Sequence, residues 1–197
     1  LREAISAGEF QPGEQLSEVK AAERFNCSRN TLRESFTRLA AERIVERIPN
    51  RGVFLAMPDA DYIRDLFAAR AAIEPAAVRW GAFADAPSLV TLTSSAFDYA
   101  ARGEHQEVSA INQRFHRTLV AALGSPTLNE QMDNLLARMR LTFLLAIPRY
   151  PQLHADHIQG NITLATLIAD GKRREAATLA HDSLMNTCEK ILAVLDD

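Results

Sequence analysis

The chain of 197 residues is poor in residues that interrupt regular structure, with 8 Gly and 8 Pro, and only 7% of its residues are aromatic. Its two cysteines, Cys27 and Cys188, lie far apart, which excludes a disulfide-rich scaffold and a zinc finger. No apolar run reaches the roughly 18 residues of a membrane span, and residues 1–10 lack the pattern of a signal peptide. We therefore expect a cytoplasmic, mainly helical protein without a membrane segment.

Charge is distributed unevenly along the chain. The net charge is −3, which alone would argue against a nucleic-acid-binding protein. Residues 24–51, however, hold seven arginines against three glutamates, whereas residues 58–197 hold 13 basic and 17 acidic side chains. A basic segment joined to an acidic body is the charge pattern of a DNA-binding regulator.

The first 57 residues predict a winged helix-turn-helix. Ser17 and Ser28 are good N-caps for two helices separated by the Asn26-Cys27 turn. The predicted elements are helices over 1–7, 17–25 and from Ser28 onward, then strands over 44–48 and 53–55 around a turn at Pro49 to Gly52. This order of elements is typical of a DNA-binding module.

The remainder, 58–197, predicts an antiparallel bundle of six helices. Their expected ranges are 60–82, 86–102, 105–123, 126–147, 151–170 and 172–196, separated by Gly- or Pro-containing breaks. The predicted fold is therefore mainly α, with a winged head at 1–57 and a helical effector-binding and dimerisation domain at 58–197.

The second helix of such a head enters the major groove with its N-terminal residues leading. Arginine can read guanine and asparagine can read adenine, while Ser and Thr suit phosphates at a helix N-terminus. The predicted DNA-binding residues are Ser28, Arg29, Asn30, Thr31, Arg33 and, in the wing, Arg51 and Gly52. The alternative is an ordinary solvated basic helix, but the helix, the wing turn and the charge asymmetry agree on DNA binding.

The segments PGEQLSE and AERFNCSRNTLRESFTRLAAERIVERIPNRGVFLA closely resemble the N-terminal domain of GntR-family bacterial transcriptional regulators. The family core SRTPVREAL-RL corresponds to Ser28 through Leu39, with Asn30 and Thr31 in place of Thr-Pro. The C-terminal part resembles the FCD ligand-binding domain of the FadR subfamily in its six-helix form. The resemblance implies DNA contacts from Arg29, Arg33 and the wing around Arg51-Gly52.

Histidines in three predicted bundle helices form a candidate metal site. His116 follows Asn112 by four residues on one helix face, and His157 and His181 lie in the fifth and sixth bundle helices. Spacing alone also fits histidines that are satisfied within a core. The FCD resemblance implies a divalent ion on Asn112, His116, His157 and His181, with zinc first and nickel or manganese as other candidates.

Asn112 stands where the family usually has an aspartate. A neutral amide oxygen is a weaker ligand than a carboxylate and does not offset the charge of the metal ion. Two alternatives therefore stay open: a metal ion held less tightly, and a pocket without metal.

Arginines in the bundle are candidates for binding an acidic effector. Arg70 and Glu74 are four apart, which fits either an internal ion pair or an arginine that faces a ligand carboxylate. The family pattern R-x-x-x-E favours the second reading. Arg138, Arg140 and Asn161 complete the predicted effector-binding set, and a small organic acid is the expected ligand.

The leading interpretation is a homodimeric, ligand-responsive transcription factor that represses by binding a palindromic operator in double-stranded DNA. The rival reading is an enzyme that uses metal-activated water on a small carboxylate. Against it, the sequence shows no carboxylate placed as an obvious general base, and no Ser, Cys or Gly-rich motif of a known catalytic kind. A third reading is a structural metal-binding bundle with a vestigial DNA head.

Overall fold

The computed structural model describes residues 1–196, apart from the side chains of His154 and Asp196. Within that range the chain forms nine helices and three strands. The N-terminal head contains α1 (Arg2–Ser6), β1 (Gln15–Leu16), α2 (Glu18–Arg24), α3 (Arg29–Ala41), β2 (Val45–Ile48) and β3 (Gly52–Leu55). The bundle contains α4 (Ala60–Trp80), α5 (Ala86–Ala101), α6 (His105–Ala121), α7 (Pro126–Ala146), α8 (Leu153–Ala169) and α9 (Arg173–Asp196).

The helices begin where the sequence supplies side-chain caps. Ser28 Oγ accepts a hydrogen bond from the Thr31 backbone nitrogen at 3.1 Å, which starts α3. Asp59 Oδ1 accepts from the Tyr62 nitrogen at 2.8 Å, which starts α4 directly after the head. The boundary between the last strand and the first bundle helix is therefore a short connection rather than a long linker.

The sheet has one strand more than the sequence predicted. Strand β3 lies in the centre and pairs antiparallel with both β1 and β2. β1 contains only Gln15 and Leu16, which pair with Phe54 and Val53. Two residues are too few to show an alternating pattern, so the pairing became visible only in the structure. The predicted winged head and helical bundle are confirmed.

The core of the head continues into the bundle. Leu32, Phe36 and Leu39 are buried, as their helical spacing predicted. The same hydrophobic cluster includes Ala137 and Leu141 of α7. The head therefore packs directly on the middle of a bundle helix. Within residues 1–196, no helix is long and apolar enough to span a bilayer.

Candidate DNA interface and effector cavity

The N-terminal turn of α3 presents polar side chains to solvent. Arg29, Asn30 and Thr31 are all exposed. The Ser28 hydroxyl also lies 2.9 Å from the Thr31 hydroxyl, in addition to capping the helix. The residues predicted to contact DNA bases are therefore accessible at the N-terminus of α3. The buried apolar face of this helix holds it against the rest of the head.

Arg33 lies one turn further along α3 and is held by an acidic neighbour. Its guanidinium forms an ion pair with Glu18 of α2, with Nη2 3.0 Å from Oε2. Hydrogen bonding to Glu18, and its charge, raise the pKa of the Arg33 guanidinium. Arg47 of β2 donates to the Arg33 carbonyl at 2.9 Å and to the Thr37 hydroxyl at 2.7 Å, which ties the wing to α3.

The wing tip is a tight turn. Asn50 has φ +61° and Gly52 has φ +111°, so the turn uses backbone conformations that favour Asn and Gly. The Arg51 guanidinium lies over the Phe54 ring at 5.5 Å, and its carbonyl accepts from Gln15 Nε2 at 2.7 Å. Within residues 1–196, Arg29 and Arg51 form no ion pair with a carboxylate, so their charges remain available to phosphates.

A cavity of about 120 Å³ lies between α4, α6, α8 and α9 and is partly open to solvent. Its polar lining comes from Arg70, Glu74, His116, Tyr150, Asp156, His157, Asn161, Ser183, Asn186, Thr187 and Lys190. Among the predicted site residues, Arg70, His116, His157 and Asn161 therefore come together around one space.

A buried charged cluster forms the inner side of this cavity. Arg70 and Glu74 are each about 1% exposed, and Arg70 Nε donates to Glu74 Oε1 at 2.6 Å. His116 Nδ1 lies 2.7 Å from the other oxygen, Glu74 Oε2. Burial raises the pKa of Glu74, but the Arg70 charge and His116 outweigh it and lower the pKa to about 2. The ionised Glu74 therefore fixes both the guanidinium and the imidazole.

The Arg70 guanidinium retains unused donor capacity. Its Nη2 is buried without a hydrogen-bond partner within the described residues. Its Nη1 lies 2.9 Å from the Met139 sulfur, which is only a weak acceptor. Both readings of the Arg70/Glu74 pair are thus compatible with the structure: the pair is internal, and the arginine still borders the cavity.

The predicted metal ligands do not converge. Asn112 Oδ1 accepts a hydrogen bond from Asn161 Nδ2 at 2.7 Å. His157 borders the cavity, and its Nδ1 lies 2.6 Å from the Leu153 carbonyl oxygen. His181 does not border the cavity; its ring faces outward beside Asp182, and its side chain is 53% exposed. Within the part of the chain that the structure describes, no three His, Cys, Asp or Glu side chains are grouped to hold a metal.

His181 lies away from the cavity because of its position around the axis of α9. Ala180, Ser183, Leu184 and Thr187 of α9 border the cavity at spacings of three and four residues. One residue along a helix turns about 100° around its axis, so His181 falls outside that stripe. The residues present therefore do not fit the predicted four-ligand metal site.

Arg138 and Arg140 also lie away from the cavity, contrary to the predicted effector set. Arg138 Nη2 donates to Asp65 Oδ2 at 2.8 Å, and Arg43 of the head reaches the same oxygen at 3.1 Å. Arg140 Nη1 donates to Ser109 Oγ at 2.8 Å, and its guanidinium packs against Gly8. Desolvation lowers the pKa of the Arg140 guanidinium. These two arginines belong to the junction between head and bundle.

The sequence analysis missed the contribution of α9 to the cavity. Ser183, Asn186, Thr187 and Lys190 all border it, beside Tyr150 and Asp156 from the start of the α8 region. Asp156 accepts from the Tyr150 hydroxyl and from Lys190 Nζ, the latter at 3.2 Å. The stripe of small and polar residues on α9 was the available signal, and the spacing of the histidines does not reveal it.

A winged helix-turn-helix packed on a helical bundle defines a DNA-binding regulator. The family model described as bacterial regulatory proteins, gntR family, matches residues 1–55, and the FCD domain model matches residues 65–186. The chain belongs to the GntR family of bacterial regulatory proteins and carries an FCD domain.

Named relatives cover nearly the whole chain. The Nta operon transcriptional regulator of Aminobacter aminovorans is 26% identical over 94% of this chain and 88% of its own length. The HTH-type transcriptional repressor GlaR of Escherichia coli (strain K12) is 28% identical over 92% of this chain and 88% of its length. A crystal structure of a GntR transcriptional regulator from Rhodococcus sp. RHA1 superposes with a TM-score of 0.84 at 28% identity, covering 98% and 93% of the two chains. These likenesses identify a transcriptional regulator and not an enzyme.

Proposed function

We propose that the protein is a homodimeric repressor that binds operator DNA with its head and senses a small organic acid in the bundle cavity. The division would fall between 1–57 and 58–197, and the protein would act in the cytoplasm, where its DNA lies. The exposed turn at Arg29, Asn30 and Thr31 beside the wing carries the DNA-binding half of this proposal. Two heads related by a two-fold axis would match a palindromic operator.

The sensing half is supported by the chemistry of the cavity. A buried guanidinium with an unpartnered nitrogen is costly unless an acceptor reaches it, by about 1–3 kcal/mol. Arg70 is in that state and borders the cavity. An acid of suitable size would supply the acceptor. The zinc, nickel or manganese ion predicted from the sequence is not part of this proposal, because its four ligands do not meet.

The DNA contact is tested by a band-shift titration with the DNA upstream of the protein's own gene. Arg29→Ala should weaken binding by roughly 5- to 150-fold, the loss of one base contact worth about 1–3 kcal/mol. Arg38→Ala is the matched control, because Arg38 is on the same helix but lies 3.9 Å from Glu130 of the bundle. Equal affinity of Arg29→Ala and the unaltered protein would refute the proposed reading surface.

The dimer is tested separately by light scattering with and without operator DNA. The mass of two chains in solution, and of two chains per operator fragment, is expected. One chain per operator would contradict the symmetric arrangement.

A further inference from the structure

We propose that the cavity binds a small hydroxylated carboxylate directly, without a divalent metal ion. The proposal rests on the sensing half of the function proposed above.

The anion-binding group is the guanidinium of Arg70. It is 1% exposed, its Nε is committed to Glu74, and its Nη2 has no partner within the described residues. Because Glu74 also engages His116 Nδ1, the guanidinium and the imidazole are held at fixed positions on one side of the cavity. A ligand carboxylate would supply the charged acceptor that the arginine lacks.

The groups that a metal ion would need are already engaged in other contacts. The Asn112 oxygen accepts from Asn161 at 2.7 Å, and the Glu74 carboxylate is taken by Arg70 and His116. Asp156, the other carboxylate of the lining, accepts from Tyr150 and Lys190. A divalent transition-metal site requires three or four converging donors, and a neighbouring guanidinium opposes a cation. The cavity is therefore suited to an anion.

The rest of the lining suits hydroxyl groups. It includes four neutral polar side chains, Asn161, Ser183, Asn186 and Thr187. Such side chains offer both donors and acceptors, as a hydroxyl does, whereas an alkyl chain offers neither. About 10–15 Å³ of cavity volume accommodates one water molecule, which is one non-hydrogen atom. The cavity of about 120 Å³ therefore holds roughly 8 to 12 non-hydrogen atoms. The expected ligand is an acid of three to five carbons that carries hydroxyls.

The test is calorimetric titration of the full chain with two matched pairs of acids, threonate against butyrate and tartrate against succinate. Each is measured with EDTA present and again with added zinc, and the metal content of the protein is determined by mass spectrometry. At least one hydroxylated acid should bind with the same Kd in both buffers. Its unhydroxylated counterpart should bind at least about 10-fold more weakly, since a missing hydroxyl leaves cavity groups unpaired.

Two variants separate direct binding from a metal site. Ser183→Ala removes one hydroxyl from the lining with little risk to the fold and should weaken the hydroxylated acid by about 5-fold while leaving its counterpart unchanged. His181→Ala is the control, because its side chain is 53% exposed and lies outside the cavity. This variant should bind the acid as the unaltered protein does, whereas a site that used His181 as a ligand would lose both metal and acid.

The proposal would be overturned if the protein contained stoichiometric zinc and EDTA abolished acid binding. It would also be overturned if His181→Ala lost the ability to bind the acid. Equal binding within each pair of acids, or no binding of any of the four, would overturn the hydroxyl assignment. Operator binding is measured by band shift on the same protein preparation. This measurement separates these failures from a failure of the DNA-binding function. DNA bound without any acid response would leave the regulator intact and remove only the proposed ligand class.

Discussion

Gln113 of α6 donates a hydrogen bond from Nε2 to the carbonyl oxygen of Ser6, the last residue of α1, at 2.8 Å. The same helix carries Asn112 and His116, which contact the cavity-lining residues Asn161 and Glu74. A ligand in the cavity therefore borders a helix that is bonded to the DNA-binding head. We expect α6 to couple the two sites.

Gln113→Ala should reduce that coupling. The ratio of operator Kd with and without saturating acid is expected to fall by about fivefold, the equivalent of one hydrogen bond of about 1 kcal/mol. Band shifts on the two states measure it. Gln106→Ala, at an exposed position of the same helix, should leave the ratio unchanged. An unaltered ratio in Gln113→Ala would show that the signal takes another route.

Gly8→Ala should destabilise the protein strongly. A Cβ at Gly8 would lie 2.2 Å from Arg140 Nη2, and the buried guanidinium is held at Ser109. Gly103→Ala is a matched control, because it has a similar φ, +72° against +82°, but no atom within 4 Å. The control should cost about 1–2 kcal/mol for the left-handed backbone. Gly8→Ala should cost about 1–3 kcal/mol more from overpacking, as measured by urea unfolding.

Glu74 predicts a pH dependence of stability. Its pKa is lowered from 4.5 to about 2 in the folded protein, so the unfolded chain binds a proton first as the pH falls. The stabilising contribution is complete above about pH 4.5 and is lost as the pH drops toward 2. Glu74→Gln should be less stable than the unaltered protein at pH 7, and that difference should shrink between pH 4.5 and 2. A difference that stays constant over this range would contradict the ionised cluster.

A metal site should be obtainable by two substitutions. Asn112 and Asn161 contact each other, and His116 follows Asn112 by one helical turn. The double variant Asn112→Asp, Asn161→His would place a carboxylate and a second imidazole beside His116. This variant is expected to bind zinc in equilibrium dialysis, while the unaltered protein does not. Zinc binding by both proteins would show that the present residues already suffice.

The fold was accessible from sequence because its signals are local. Ser17, Ser28 and Ser125 cap helices, and the turn before Gly52 requires special backbone angles. These signals act within a few residues, so the wing and six bundle helices could be predicted. Strand β1 had no such signal, because it exists only through pairing with β3.

The cavity was harder to predict because it depends on which face each helix buries. His157 and Asn161 both border it, since they are four apart on α8. His181 is off by one residue from the cavity face of α9. Arg138 and Arg140 point toward the head, a direction set by how α7 packs against α1. The chemistry of these side chains indicated ligand binding. The orientation of each helix about its own axis decides which side chains face the cavity.

The shared core between the head and α7 has a practical consequence for dissecting the protein. Leu141 and Ala137 complete the apolar cluster that Phe36 and Leu39 begin. A fragment cut after residue 57 would expose that cluster to water and lose the bond from Gln113. The DNA-reading part is therefore not a portable module, and fusing it to another sensor would require transplanting the surface of α7 with it.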